Sequence, residues 1–320
     1  MLFKLNNPLV MAGFVGRHEY RCCRIFLDNG TCFRACLCKC SVRVVYHQFF
    51  SECIDELLAN GLAEAEAAQK AKALLFASDN IEEACQKAQY VIEAITENLP
   101  AKQTLFQKLD SLLPPEVPIM SNTSGLRITD IAKDTQHPER TLTTHFWFPG
   151  HLVPLVEMVM SEHTNPQIAK DIKALLAAWG KTPVIVKKDL PGQLANRILQ
   201  AVIREAVNIV AMDLAEPEDV DMAVKMGMGI RFPVWGPLEH IEAVGLDLGL
   251  NVQNPVLPSI SSATTASPYL KEMVERGDLG YKTGKGFYDW SKRDMNALAG
   301  RRNQFIIEAL KFHKEHPPKD

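Results

Sequence analysis

Between residues 90 and 186, short β-rich runs alternate with amphipathic stretches, and beyond residue 190 the strand signals stop. Tyr90 to Ile95, Val117 to Met120, Thr141 to Trp147 and Pro183 to Val186 read as strands. Leu105, Phe106, Leu109, Leu112 and Leu113 stand at helical spacing before Pro114. Asn165 is a helix cap ahead of Pro166, Gly180 is a stop, and Ile168, Ile172, Leu175, Leu176 and Trp179 form one stripe between them. This alternation predicts an α/β domain with a largely parallel sheet. From residue 190 the pattern is helical: Ile198, Leu199, Val202, Ile203, Ala206, Ile209 and Val210 share a wide face, Pro217 to Asp221 starts an acidic helix, and Arg301 to His313 is amphipathic. We therefore expect two domains, 1–189 and 190–320.

Composition narrows the function. The apolar fraction is 47%, and 35 basic against 38 acidic residues give a formal charge of −3 over 320 residues. Such a chain has no global field for phosphate backbones, so no nucleic-acid partner is expected. The best apolar run, His151 to Met160, contains Pro154 and Glu157, and nothing near Met1 reads as a secretory signal. The expectation is a cytoplasmic enzyme with no membrane partner.

Seven of the eight cysteines crowd between Cys22 and Cys53. Alternate spacing of Cys36, Cys38 and Cys40 would place three thiols on one face of a strand, but no second cluster follows. Ordinary thiols, with no metal, are the expectation. Before them, Gly13 and Gly16 match the second and third glycines of a G-x-G-x-x-G phosphate loop, with Met11 at the first position. An acidic ribose anchor some 20 residues on is missing. Arg17, Arg21, Arg24, Arg34, Lys39 and Arg43 stand there instead, and Asp28 sits in a turn-like Asp-Asn-Gly.

Ser121 to Ser124, His145 and Glu157 carry more chemistry. Ser124 follows an apolar strand and so falls at the carboxyl edge of the sheet, where open α/β sheets bind ligands. His145 and Glu157 are twelve residues apart, roughly 40 Å if extended, so only a reversal at Pro149-Gly150 brings them together. A carboxylate on an imidazole in apolar surroundings is what a general base needs. The alternative is a satisfied core histidine and a solvated edge carboxylate. His151 is a second possible base but follows the turn and is expected to be exposed, and Asn196 is equally readable as a helix cap.

Six pieces of the chain, VIEAITENL (91–99), SNTSGL (121–126), HFWFPGHLVPLVE (145–157), PGQLANR (191–197), GPLEHIEAVGLDL (236–248) and KTGKGFYDW (282–290), resemble the 3-hydroxyacyl-CoA dehydrogenase family over residues 55–310. The resemblance implies a Rossmann-like N-terminal domain, an all-helical C-terminal domain that forms a homodimer, and NAD as hydride acceptor. It implies catalytic roles for His145, Glu157, Ser124 and Asn196. Cofactor contacts would come from Gly13, Gly16, Glu97, Lys102, Ser124 and Lys282. The substrate implied is a 3-hydroxyacyl-CoA, as in fatty acid metabolism. The HLVPLVE wording also resembles the branch acting on small hydroxy acids such as gulonate and carnitine, and the family includes a lens crystallin, a structural dimer without turnover. Two departures stand out. Phe148 replaces the family's Asn before the proline, and residues 17–50 look unlike its first βαβ unit, although Phe26 to Gly30 resembles a helix end in it.

Overall fold

The computed structural model describes residues 9–12, 33–36, 40–74, 76–78 and 80–317. Gly13, Gly16, Asp28, Cys38 and Lys39 lie outside the described residues, as does the segment 26–30.

Among the described residues, eight strands form one sheet: β1 (Leu9–Ala12), β2 (Phe33–Cys36), β3 (Phe76–Ser78), β4 (Tyr90–Glu93), β5 (Ile119–Ser121), β6 (Thr141–Phe146), β7 (Leu155–Met160) and β8 (Thr182–Val186). Their order is β3-β2-β1-β4-β5-β6-β7-β8. Each neighbouring pair is parallel except β6 and β7, which pair antiparallel. Strand order reverses between β1 and β4, the point at which a doubly wound sheet opens a crevice at its carboxyl edge. The short run Leu9–Ala12 is thus a central strand, with β2 lying parallel beside it in the segment that looked unlike a βαβ unit. Cys36 ends β2 whereas Cys40 opens a helix, so the two residues do not belong to one strand.

Helices join the strands: α1 (Cys40–Ala59), α2 (Ala65–Ala73), α3 (Ile81–Cys85), α4 (Leu99–Leu112), α5 (Ile128–Ile131) and α6 (Pro166–Ala178). The cap signals at Asn165 and Gly180 act as expected, and Asn98 is a further cap. Asn98 Oδ1 accepts from Ala101 N, Asn165 Oδ1 accepts from Gln167 N, and Gly180 takes the left-handed φ of 73° that ends the last of these helices.

The two-residue period of the strands divides the core. Ile92, Met120, Leu142, Phe146, Val156 and Met158 pack on Ile172, Leu175, Leu176 and Trp179 of the α6 segment. Val91 and Ile119 face the other way, onto Ala84, Phe106, Leu109, Ile128 and Ile131. The sheet is therefore covered on both sides, and each fully buried aliphatic side chain contributes ~1.5–3 kcal/mol. Inside this layer Arg140 is wholly buried. It bonds Asp110 Oδ1 at 2.7 Å, the Asp110 carbonyl at 2.9 Å and the Val117 carbonyl at 3.2 Å, with a further bond to the Pro114 carbonyl.

The chain divides into two compact units, 1–195 and 196–320. The second is helical: α7 (Ala195–Ala211), which begins at the division, α8 (Pro217–Ala223), α9 (Pro237–Val244), α10 (Leu246–Val256), α11 (Pro268–Glu275) and α12 (Met295–Glu315). The apolar face expected on α7 exists, but Ile198, Leu199 and Ile203 are exposed, as are Leu246, Leu248 and Leu250 of α10. No described helix is long and apolar enough to cross a membrane.

Candidate active site

β6 ends at Phe146, a turn with a cis Phe148–Pro149 bond follows, and β7 returns antiparallel. The reversal expected at Pro149-Gly150 therefore forms, and it sets His145 directly opposite Glu157. Directly opposed residues of an antiparallel pair share a sheet face. His145 Nδ1 lies 2.9 Å from Glu157 Oε2.

Glu157 is completely buried and fully hydrogen-bonded. Oε2 accepts from His145 Nδ1 and from Trp147 Nε1 at 2.8 Å. Oε1 accepts from the backbone N–H of Leu194 at 2.8 Å and of Ala195 at 2.7 Å. Burial alone would raise its carboxyl. The bonds from His145, Trp147, Ala195 and Leu194 outweigh it and hold the group at about 2. An ionised carboxylate can only accept, so in the neutral ring Nδ1 carries the proton and Nε2 presents its lone pair. Ser124 Oγ lies 3.1 Å from Nε2 and in that state donates to it. Glu157 is thus not the solvated edge acid of the alternative reading.

Ser124 is placed by Glu97. Glu97 Oε1 accepts from Thr123 Oγ1 at 2.6 Å and from the N–H groups of Ser124 and Gly125 at 3.0 Å each. Burial opposes the charge, but these bonds and the ammonium of Lys102 keep the Glu97 carboxyl below its ordinary range. Its side chain is still 44% exposed, so it can meet a ligand at the edge of the sheet. Lys102 cannot do the same. Its side chain is 1% exposed, and Nζ is held by Glu93 Oε1 at 2.6 Å and the Ile95 carbonyl at 3.3 Å, with Glu97 Oε2 at 3.6 Å. The direct cofactor contact expected of Lys102 gives way to an ion pair with a buried acid, because its ammonium has no open side.

Glu93 is fully buried at the end of β4, and Ser121 Oγ donates to its second oxygen at 2.6 Å. Burial pushes its carboxyl up, against the pull of Lys102 and of the bonds from Ser121 and Ile95. An acid inside the apolar run Tyr90–Glu93 needs a partner for the same reason as Glu157, and that signal was available in the sequence. Trp147 lay within a quoted motif without a role. Gln193, Leu194 and Ala195 likewise fall within PGQLANR (191–197) without a role of their own. Gln193 adopts a left-handed φ of 52° and donates from Nε2 to the Thr123 carbonyl at 2.9 Å, so one short segment supports both the Ser124 loop and Glu157.

The remaining expected residues fall elsewhere. His151 is not exposed as expected: its side chain is 8% exposed and Nε2 lies 2.7 Å from Glu56 Oε2 of α1. Asn196 opens the second unit as the second residue of α7, where its Oδ1 accepts from Gln200 at 3.4 Å. Lys282 is exposed in a turn of that unit, closed by Thr283 N to the Gly280 carbonyl at 3.1 Å. Phe148 stands 61% exposed directly after the strand that carries His145.

The described residues fit a dinucleotide. A strand-order reversal lies at β1 and β4, and an accessible carboxylate and a serine flank it at the carboxyl edges of β4 and β5. Comparison with known proteins agrees. The NAD-binding domain model of the 3-hydroxyacyl-CoA dehydrogenases matches residues 44–190, and the C-terminal domain model of the same family matches 192–290. A 5-formyl-3-hydroxy-2-methylpyridine 4-carboxylate 5-dehydrogenase from Mesorhizobium japonicum is 32% identical over 230 residues, 72% of this chain and 74% of that one. A probable 3-hydroxybutyryl-CoA dehydrogenase from Bacillus subtilis is 39% identical over 217 residues, 68% of this chain and 74% of that one. A crystal structure of a 5-formyl-3-hydroxy-2-methylpyridine 4-carboxylic acid 5-dehydrogenase, an NAD+-dependent dismutase, aligns with a TM-score of 0.84 at 27% identity, covering 97% of this chain and 99% of that one. The chain belongs to the 3-hydroxyacyl-CoA dehydrogenase family and is an NAD-dependent oxidoreductase acting on CH–OH groups.

Proposed function

We propose that this enzyme oxidises a 3-hydroxyacyl-CoA to the 3-oxoacyl-CoA, as a cytoplasmic homodimer serving fatty acid metabolism. The observation that carries the reading is the His145–Glu157 pair, with Nε2 turned to Ser124 at the sheet edge. In this role the substrate hydroxyl takes up the hydrogen bond to Nε2 that Ser124 now makes. His145 receives the hydroxyl proton at Nε2, and Glu157 holds the resulting imidazolium through Nδ1. Ser124 Oγ then turns to the substrate oxygen, steadied by the Glu97 bonds to its own N–H. NAD, when bound, supplies the hydride acceptor. Glu97 is the described residue best placed to meet it, with Lys102 holding Glu97 from behind, and Gly13, Gly16 and Lys282 complete the proposed contacts. Asn196 is proposed as a polar partner of the substrate. The exposed apolar residues of α7 and of α10 support dimerisation through the region 190–320.

A second reading has its own support: oxidation of a small hydroxy acid. The likeness to the pyridine-carboxylate dehydrogenase runs over 97% of the chain. Phe148 also presents an exposed aromatic ring where the resemblance leads one to expect an amide. The intact pair argues against a purely structural, crystallin-like dimer. Initial rates of NADH formation on 3-hydroxybutyryl-CoA, gulonate, carnitine and a formyl-hydroxypyridine carboxylate decide between the readings. Turnover on the thioester at least tenfold above the acids supports the first, and the reverse order supports the second.

A further inference from the structure

Glu157 has more donors than the orientation of one imidazole requires. The backbone N–H groups of Leu194 and Ala195 satisfy Oε1, and His145 Nδ1 occupies one side of Oε2. The remaining side of Oε2 is taken by the indole N–H of Trp147, one residue beyond β6, at 2.8 Å. The indole also stands edge-on to the imidazole, with ring centroids 5.9 Å apart and planes at 62°. Trp147 is only half-buried, and Phe146 beside it already fills the core, so packing alone does not ask for a Trp here.

We propose that Trp147 is a positioning residue of the dehydrogenase: its indole N–H locks the Glu157 oxygen that faces His145 and draws off part of that oxygen's charge. This rests on the reading of His145 as proton acceptor. A carboxylate oxygen held by two donors cannot swing, so the imidazole it holds keeps one tilt toward Ser124. The second donor also weakens the attraction of Oε2 for an imidazolium. The proton taken from substrate is therefore held less tightly and is released more readily after each turnover. The groups facing the ring are Glu157 on β7, Ser124 after β5 and, through the Ser124 N–H, Glu97 after β4. Of these, removing the indole nitrogen alters only Glu157, whose Oε2 loses one donor.

Trp147→Phe keeps an aromatic ring and removes only the donor. With the charge of Oε2 undivided, His145 gains its proton at higher pH, and the acid limb of the pH profile of turnover moves up by about half to one pH unit, a threefold to tenfold change in protonation at fixed pH. KM and NADH affinity stay within twofold of the parent. The unliganded protein provides an independent reading. The difference in tryptophan emission between parent and Trp147→Phe falls as His145 becomes charged, and His145→Gln abolishes that pH dependence. An acid limb that stays in place, with any loss appearing in KM or thermal midpoint, would overturn the proposal, as would a difference emission independent of pH. Should the parent turn over none of the substrates while the emission still titrates, the link between Trp147 and His145 stands and the functional reading is what fails.

Discussion

Glu157 lies directly opposite His145 across the antiparallel β6–β7 pair, its Oε2 2.9 Å from the imidazole Nδ1 and its own side chain sealed from solvent. A buried carboxylate with four donors around it cannot be exchanged for an amide without loss. In Glu157→Gln the amide NH2 must face donors at one end or the other, leaving at least one unpaired at about 1–3 kcal/mol each. Turnover falls less than in a His145 variant, because the base itself remains, and NADH binding is unchanged. Urea denaturation alongside NADH titration checks both halves.

The same carboxylate sets a pH dependence of stability. Its value falls from an ordinary 4.5 to about 2 in the fold. The unfolded chain therefore binds the proton first, and the stabilisation is present above about pH 4.5 and is lost as pH falls toward 2. The contribution is on the order of 3 kcal/mol at neutral pH. The stability gap between parent and Glu157→Gln should be widest at neutral pH and narrow steadily below pH ~4.5; a gap that widens on acidification would contradict this.

Lys102 offers a test that separates structure from cofactor binding. Lys102→Met leaves Glu93 buried without its cation, at a cost of about 3–5 kcal/mol. Burial then keeps the Glu93 carboxyl raised, so the folded variant holds a proton that the unfolded chain releases, and its stability drops further as pH rises above the ordinary carboxylate range. Thermal melts at pH 5 and pH 8 read the difference. A variant with parental stability and only weakened NADH affinity would return Lys102 to the role of cofactor contact.

Much of this architecture was readable beforehand because it depends on local pattern. Asn165 caps the helix that follows it, and the stripe from Ile168 to Trp179 packs where its spacing directs it. The His145–Glu157 pair followed from one acid in an apolar run and a turn signal between them. What escaped was non-local. The place of Leu9–Ala12 at the centre of the sheet depends on neighbours far along the chain, and the N–H groups of Leu194 and Ala195 acquire a role only once the backbone at Gln193 turns left-handed. His151 was expected at the surface because no sequence signal shows that Glu56 packs on it.

Cofactor affinity carries its own expectation. Cys36 ends β2 in register with Ala12, the last residue of β1, and no acidic residue occurs between Asp28 and Glu52. A ribose anchor belongs at the end of this strand. Each charge-assisted hydrogen bond is worth about 1.5–3 kcal/mol, so Cys36→Asp should bind NAD at least tenfold more tightly. Calorimetric titration of the two proteins gives the ratio directly; equal affinities would mean the ribose is held without an acid at this position.

The most direct test of the account is the turnover of His145→Gln, with NADH binding measured on the same preparation. Loss of the proton acceptor should lower turnover by ~10²–10⁴ while NADH affinity stays at the parental value. Near-normal turnover in this variant would contradict the central claim that His145, held by Glu157, takes the substrate proton.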